Sequence, residues 1–252
     1  MALGVFALTS CGFGGTTSGG CALMSCGVVG PRPLTVFAAA SLQPSFDKIA
    51  TEVKARYQIS PTFNYAGTQT LAAQLTDGAQ ADVFASADMA HMTTIQNAGL
   101  IAGAPQVFAH NRLEIAVAKG NPKGIRGLAD LSRSGLVVVL ADPSVPAGKY
   151  AQQALTKAGV TIKPASLELQ VTAVLTKVAL GEADAGIVYV SDVVTSGKVD
   201  GVAIPDSQNV VADYPIAALK NARHNSTADA FIAFVLAPDG QSILKAAGFE
   251  PA

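Results

Sequence analysis

Leu34-Thr35-Val36-Phe37-Ala38-Ala39-Ala40-Ser41-Leu42 reads as a buried strand that runs directly into a helix. Leu34, Val36 and Phe37 supply the apolar, β-branched and aromatic character of a sheet centre, and the run ends in three alanines and a serine. Beyond it Leu42, Phe46, Ile49, Val53 and Tyr57 recur at intervals of three or four, which predicts one apolar helix face. Ser41 stands where that helix takes its N-cap. Pro44 falls in the first turn, where a missing N–H costs little. Small residues let a ligand approach the backbone, and a helix N-terminus offers free N–H donors and the positive end of a dipole. One such junction is also what an ordinary cap looks like. The question is whether others face it.

Outward along the chain the pattern repeats. Pro61–Ala66 reads as a second strand, and Gly67-Thr68-Gln69-Thr70 leads into a helix carrying Leu71 and Leu75 that ends at Asp77-Gly78. Ala81–Ala85 is a third strand. Ser86-Ala87-Asp88 opens a helix with Met89, Met92 and Ile95 on one face, closed by Gly99. Three strand–helix units in a row predict a parallel α/β sheet with right-handed crossovers. Asp82 at a strand start and Asp88 at a helix start read as structural carboxylates. His91, His110 and His224 stand isolated, without metal-ligand spacing.

A crossing between lobes is expected near Ala109–Arg112, followed by a strand over Leu113–Ala118 and a turn at Asn121-Pro122-Lys123-Gly124. Leu136–Leu140 is a buried strand, and a helix starts near Ala147 after Asp142-Pro143-Ser144-Val145-Pro146. Gly148-Lys149 fails as a nucleotide loop, because Tyr150 stands where Ser or Thr must bind magnesium. Leu167–Leu169 is extended, and Gln170-Val171-Thr172 opens a helix with Val171, Val174, Leu175 and Val178 inward. Asp184–Val190 is a buried strand whose Tyr189 emerges at the edge where open α/β sheets bind ligands, with a helix from Ser191-Asp192. A second crossing near Val210–Tyr214, a strand Tyr214–Leu219 and helices Thr227–Leu236 and Pro238–Ala247 complete the chain. Five junctions thus carry small residues, hydroxyls or free N–H groups: Ser41, Thr68, Ala147, Val171 and Tyr189. None brings an acid or a placed base, which suits a small dianion held by neutral donors.

Composition sets the limits. The 252 residues are 50% hydrophobic and 14% charged, enough for a large core as one α/β domain or two small lobes. Lys plus Arg number 17 against 18 for Asp plus Glu with no basic cluster, which argues against a nucleic-acid surface. The first 33 residues differ from the rest, with an apolar run over Ala2–Thr9, the stretch GFGGTTSGG and all three cysteines, Cys11, Cys21 and Cys26. Leu8-Thr9-Ser10-Cys11 resembles a bacterial lipobox, Leu23-Met24-Ser25-Cys26 is a poorer one, and an unstructured tail with incidental thiols is the alternative. The basic start of a signal peptide is missing, so the precursor is expected to begin upstream of Met1.

The segments TVFAAASL, AGTQTLAAQL, GAQADVFASAD, DPSVPAGKYAQQAL and GEADAGIVYVSD, from about Leu34 to Phe249, resemble the successive motifs of the molybdate-binding proteins of bacterial ABC importers. The pair DP-x-x-VPAG-x-YA and GIVY-x-SD is the most specific part. The resemblance implies the α/β type II periplasmic-binding-protein fold, two lobes joined by two hinge crossings with a cleft between them. It divides the chain into a leader and tether (1–33), a first lobe (34–109), a second lobe (110–211) and a return to the first (212–252). It implies that the hydroxyls of Ser41 and Thr68 bind the oxyanion from one lobe, and the Ala147 and Val171 N–H groups and Tyr189 from the other. Serine is usual in the second position, so Thr68 adds a methyl group. The function implied is an extracytoplasmic receptor that captures molybdate, with tungstate, as cargo for an ABC permease. No catalysis and no cofactor are expected. A monomer is expected, lipid-anchored through Cys11 at the outer face of the cytoplasmic membrane or free in the periplasm. Three rivals remain. The same receptor class with another tetrahedral oxyanion such as sulfate is the nearest. An enzyme with Ser41 as nucleophile lacks Gly-x-Ser-x-Gly and a histidine at a strand end. The sensing domain of a transcription regulator would need a DNA-binding module that the Gly/Ser-rich start cannot form.

Overall fold

The computed structural model describes residues 30–252. Cys11, Cys21 and Cys26 lie outside the described residues, and so does the lipobox reading. Strand β1 (Arg32–Ala39) starts two residues before Leu34 and alternates its side chains between two cores. Leu34, Val36 and Ala38 face one, under α1 (Gln43–Tyr57), and Phe37 faces the other. The expected helical stripe is buried at Leu42, Phe46, Ile49 and Val53, while Tyr57 is exposed and closes the helix against Phe234. Phe46 anchors this side, with ring centroids 5.8–6.1 Å from Phe63, Phe108 and Phe231. Cutting such a ring back to alanine typically costs about 3–5 kcal/mol.

Strand β2 (Ile59–Ala66), helix α2 (Thr68–Thr76), strand β3 (Val83–Ala85) and helix α3 (Met89–Asn97) follow. β1 pairs in parallel with both β2 and β3, so the carboxyl ends of all three lie on one edge. Leu71, Leu75, Met92 and Ile95 from α2 and α3 cover the second face with Phe37 and Phe84.

The segment expected to hold a crossing and then a strand is instead one long strand, β4 (Ile101–Ala118). Register shifts between Ala102 and Gln106 and between Val107 and Ala109 absorb Gly103 and Pro105 as bulges, so the chain never leaves the sheet. Then come β5 (Val138–Ala141), α4 (Pro146–Lys157), β6 (Ser166–Glu168), α5 (Val171–Ala179), β7 (Ala185–Tyr189) and α6 (Val190–Ser196). Next are β8 (Val199–Ala203), β9 (Val211–Leu219), α7 (Asn225–Leu236), α8 (Pro238–Ala246) and β10 (Glu250–Pro251). The short strands β8 and β10 are additions to the sequence reading.

The sheet order is β2-β1-β3-β9-β4-β7-β5-β6, with β8 and β10 also paired to β4. It is mixed rather than parallel throughout, because β9 returns antiparallel between β3 and β4. β4 serves both halves of the molecule. Up to Arg112, paired with Val211, it runs against β9; from Leu113, paired with Tyr189, it runs against β7 and β8. Asn209 holds that changeover, accepting from Leu113 N at 3.0 Å and donating to Leu113 O at 2.9 Å. Tyr189 is therefore set at the point where one half gives way to the other.

Candidate functional site

The carboxyl ends of β1, β2 and β7 and the N-termini of α2, α4 and α5 converge on one small pocket. Its walls are Ala39, Ala40 and Ser41 after β1, Ala66, Gly67 and Thr68 after β2, and Ala87 beyond β3. Val145, Pro146 and Ala147 at α4, Val171 at α5 and Tyr189 complete it. All five residues singled out in the sequence line this pocket. The room it leaves for a water-sized sphere is about 10 Å³, against about 330 Å³ in the hollow between α4 and the β5–β6 edge. No Asp, Glu, His, Lys or Arg is among its lining residues.

Three helices open on the pocket without a side-chain cap. Gly67, Val145 and Gln170 occupy the N-cap positions of α2, α4 and α5, and none has a side chain that caps the helix. The ladders begin only with the amides of Thr70, Lys149 and Ala173. The earlier N–H groups have no intrahelical acceptor and project, with the positive dipole ends, toward the lining. Gly148 makes this approach possible at α4. A Cβ there would lie 2.1 Å from Asp142 O and 2.4 Å from Ala141 O, so only glycine lets the helix start this close to β5.

Of the two hydroxyls, that of Ser41 is arranged differently from the sequence expectation. Ser41 does not cap α1. Ala40–Leu42 form a single 3-10 turn, the N-cap of α1 is Leu42, and no side chain caps either element. Buried among the alanines, Ser41 Oγ instead meets Tyr214 Oη at 3.0 Å. Thr68 is the first residue of α2, with Gly67 its N-cap. The Thr68 Oγ1 accepts from Ala87 N at 3.1 Å, which leaves its single proton free to donate. Tyr189 ends β7, and its buried hydroxyl has no hydrogen-bond partner. Leaving a buried polar group unpaired costs about 1–3 kcal/mol, so an orphan in a pocket wall calls for an explanation. Burial pushes the Tyr189 phenol well above its ordinary pKa, so it stays protonated and able to donate.

Charges lie behind the lining rather than in it. Asp192 accepts from Tyr189 N at 3.0 Å, and burial pushes its carboxyl up to about 7 against the effect of that bond. Asp88 caps α3 by accepting from His91 N and also meets His91 Nδ1 at 2.9 Å. Asp82 accepts from the amides of Thr35, Arg223 and His224. Burial would raise its pKa, but those bonds and the His224 ring hold it below the ordinary value. Both carboxylates are structural. The histidines are isolated in sequence only: His91, His110 and His224 each pair with one aspartate, Asp88, Asp213 and Asp82. Among the described residues no group of three or more His, Cys, Asp or Glu is placed to hold a metal.

Tyr214, Ala87 and Gln69 were not singled out in the sequence. Tyr214 meets Ser41 from 173 residues along the chain, and Ala87 meets Thr68 from 19. Gln69 folds over Gly67 and donates from Nε2 to Leu169 O at 2.9 Å, joining α2 to the segment before α5.

The family model described as bacterial extracellular solute-binding protein matches residues 34–250. The chain belongs to this family. This solute-binding protein is 48% identical over 222 residues to the molybdate-binding protein ModA of Mycobacterium tuberculosis, covering 87% of this chain and 85% of the relative. It is similar to the substrate-binding domain of a putative molybdenum ABC transporter from Clostridium difficile, with 28% identity, a TM-score of 0.67, and 87% and 99% of the two chains covered. The periplasmic molybdate-binding protein of Azotobacter vinelandii shares the fold, with a TM-score of 0.76 at 21% identity and the same coverage. No helix among the described residues is long and apolar enough to cross a membrane.

Proposed function

We propose that this solute-binding protein is an extracytoplasmic receptor that captures molybdate, and tungstate with it, and delivers the anion to an ABC permease. One observation carries the reading: three uncapped helix N-termini, the buried hydroxyls of Ser41 and Thr68 and one orphan tyrosine meet in a pocket lined by no ionic side chain. The 48% identity to a molybdate-binding protein supports the choice of cargo.

The chemistry follows from donors alone. Ser41, Thr68 and Tyr189 donate hydroxyl protons to the oxyanion, and Ala147 and Val171 donate backbone N–H groups. The dianion is neutralised by helix dipoles spread around it instead of by a lysine or arginine. An acceptor-only anion fits every donor, whereas a protonated one such as hydrogen phosphate brings a proton for which the lining holds no carboxylate. The small pocket favours a tetrahedral oxyanion over a larger solute.

The donors come from both of the halves that β4 joins, so residues 34–109 with 212–252, and 110–211, act as two lobes that close on the anion. The changeover at Arg112–Leu113 and the start of β9 at Val211 support hinges at these places. The protein works as a monomer, catalyses nothing and needs no cofactor. Cys11 carries a lipid that keeps the receptor beside its permease. Titration calorimetry with molybdate, tungstate, sulfate and phosphate tests the cargo. One site per chain is expected, tight for the first two, far weaker for sulfate and silent for phosphate. Equal binding of sulfate and molybdate would overturn it.

A further inference from the structure

Tyr214 is buried on β9, and its hydroxyl meets Ser41 Oγ at 3.0 Å although 173 residues separate the two. The same ring packs edge-on against Tyr189, centroids 5.8 Å apart, and against Phe249 at 5.3 Å. It therefore touches one proposed anion donor with its hydroxyl and another with its ring, from a strand that pairs with both β3 and β4. Nothing in its local sequence marks it for this.

We infer that Tyr214 is a positioning residue of the oxyanion site: it donates its proton to Ser41 Oγ and so commits the Ser41 proton to the bound anion. The inference rests on the anion-receptor reading above. Ser41 has one proton and two lone pairs. With only acceptor atoms facing it, that proton goes to the anion, so in the Ser41–Tyr214 pair the tyrosine is the donor. A relay of this kind fixes the serine rotamer and polarises its O–H, which strengthens the outer bond. Burial pushes the Tyr214 phenol above its ordinary pKa and keeps it in the donating form. Thr68 is held in the same sense by Ala87 N, so both hydroxyls of this half are set as donors by a buried group behind them.

The test is a double-mutant cycle read by molybdate titration of wild type, Tyr214→Phe, Ser41→Ala and the double variant, with the melting temperature of each ligand-free protein alongside. Phenylalanine keeps the ring contacts with Tyr189 and Phe249. Tyr214→Phe should weaken molybdate binding about three- to tenfold in the wild-type background. In the Ser41→Ala background the same change should alter affinity less than about twofold, because the serine it acts through is gone. An equal loss in both backgrounds would show that Tyr214 acts only through packing and would overturn the inference. So would an unchanged affinity in Tyr214→Phe when wild type binds molybdate. Failure of wild type to bind molybdate at all would overturn the anion-receptor reading, and this inference with it.

Discussion

The amide of Ala87 donates to the hydroxyl oxygen of Thr68 across 3.1 Å, with both residues buried in the pocket wall. Because an amide only donates, the bond fixes Thr68 as a donor toward the pocket. Thr68→Val keeps the shape, removes the donor and leaves the Ala87 N–H unpaired. Affinity for molybdate should fall by roughly ten- to a hundredfold, as for a hydrogen bond to a charged group worth about 1.5–3 kcal/mol. The ligand-free protein should also melt lower. Thr68→Ser keeps both bonds and should bind within a few-fold of wild type. Calorimetry on the three proteins separates hydroxyl from methyl.

Tyr189→Phe should divide stability from function. The Tyr189 hydroxyl is buried and unpartnered, so deleting it removes an unsatisfied group and keeps the ring. The ligand-free variant should melt at the wild-type temperature or up to about 2–4 °C higher. Its affinity for molybdate should nevertheless fall by roughly ten- to a hundredfold. A variant that loses stability and binds normally would remove Tyr189 from the site.

Gly148→Ala tests the helix N-terminus itself. The added carbon would meet backbone oxygens 2.1 and 2.4 Å away, which cannot swing aside as a side chain can. The start of α4 must move, at a cost of about 1–3 kcal/mol in stability. The Ala147 N–H moves with it, so molybdate affinity should fall more than about tenfold.

How far the sequence disclosed these features depends on the range of the interactions. Strand-to-helix junctions are written locally, in apolar runs and small residues, and α2, α4 and α5 start within a residue or two of where Thr68, Ala147 and Val171 place them. Only the N-cap expectation for Ser41 fails, because capping is the local rule for serine whereas its hydrogen-bond partner lies 173 residues on. Tyr214 and Ala87 carry no local sign of what they hold. The strand expected over Leu113–Ala118 extends back through the expected crossing at Ala109–Arg112 because pairing with β9, a contact no local pattern discloses, carries the chain through Gly103 and Pro105. β8 escaped notice because Asp200 and Gly201 interrupt its apolar pattern, and it is held by pairing with β4.

Asp192 gives a pH dependence with a defined sign. Its carboxyl moves from an ordinary value of 3.8 to about 7 through burial, so the folded protein keeps a proton that the unfolded chain has lost. Its contribution to stability therefore declines as pH rises between about 4 and 7 and is level above that. Asp192→Asn keeps an oxygen to accept from Tyr189 N and cannot ionise. The melting temperature of the variant relative to wild type should rise across that interval. Parallel curves for the two proteins would place the Asp192 titration elsewhere.

The central claim is that one oxyanion is held by neutral donors from both of the halves that β4 joins. A crystal structure of the molybdate complex, with molybdenum located by its anomalous scattering, tests it most directly. The account predicts a single strong peak in the pocket. Its oxygens should lie within hydrogen-bonding distance of Ser41 Oγ, Thr68 Oγ1, Tyr189 Oη and the backbone nitrogens of Ala147 and Val171. A peak elsewhere, or an anion held by a lysine or arginine, would contradict it.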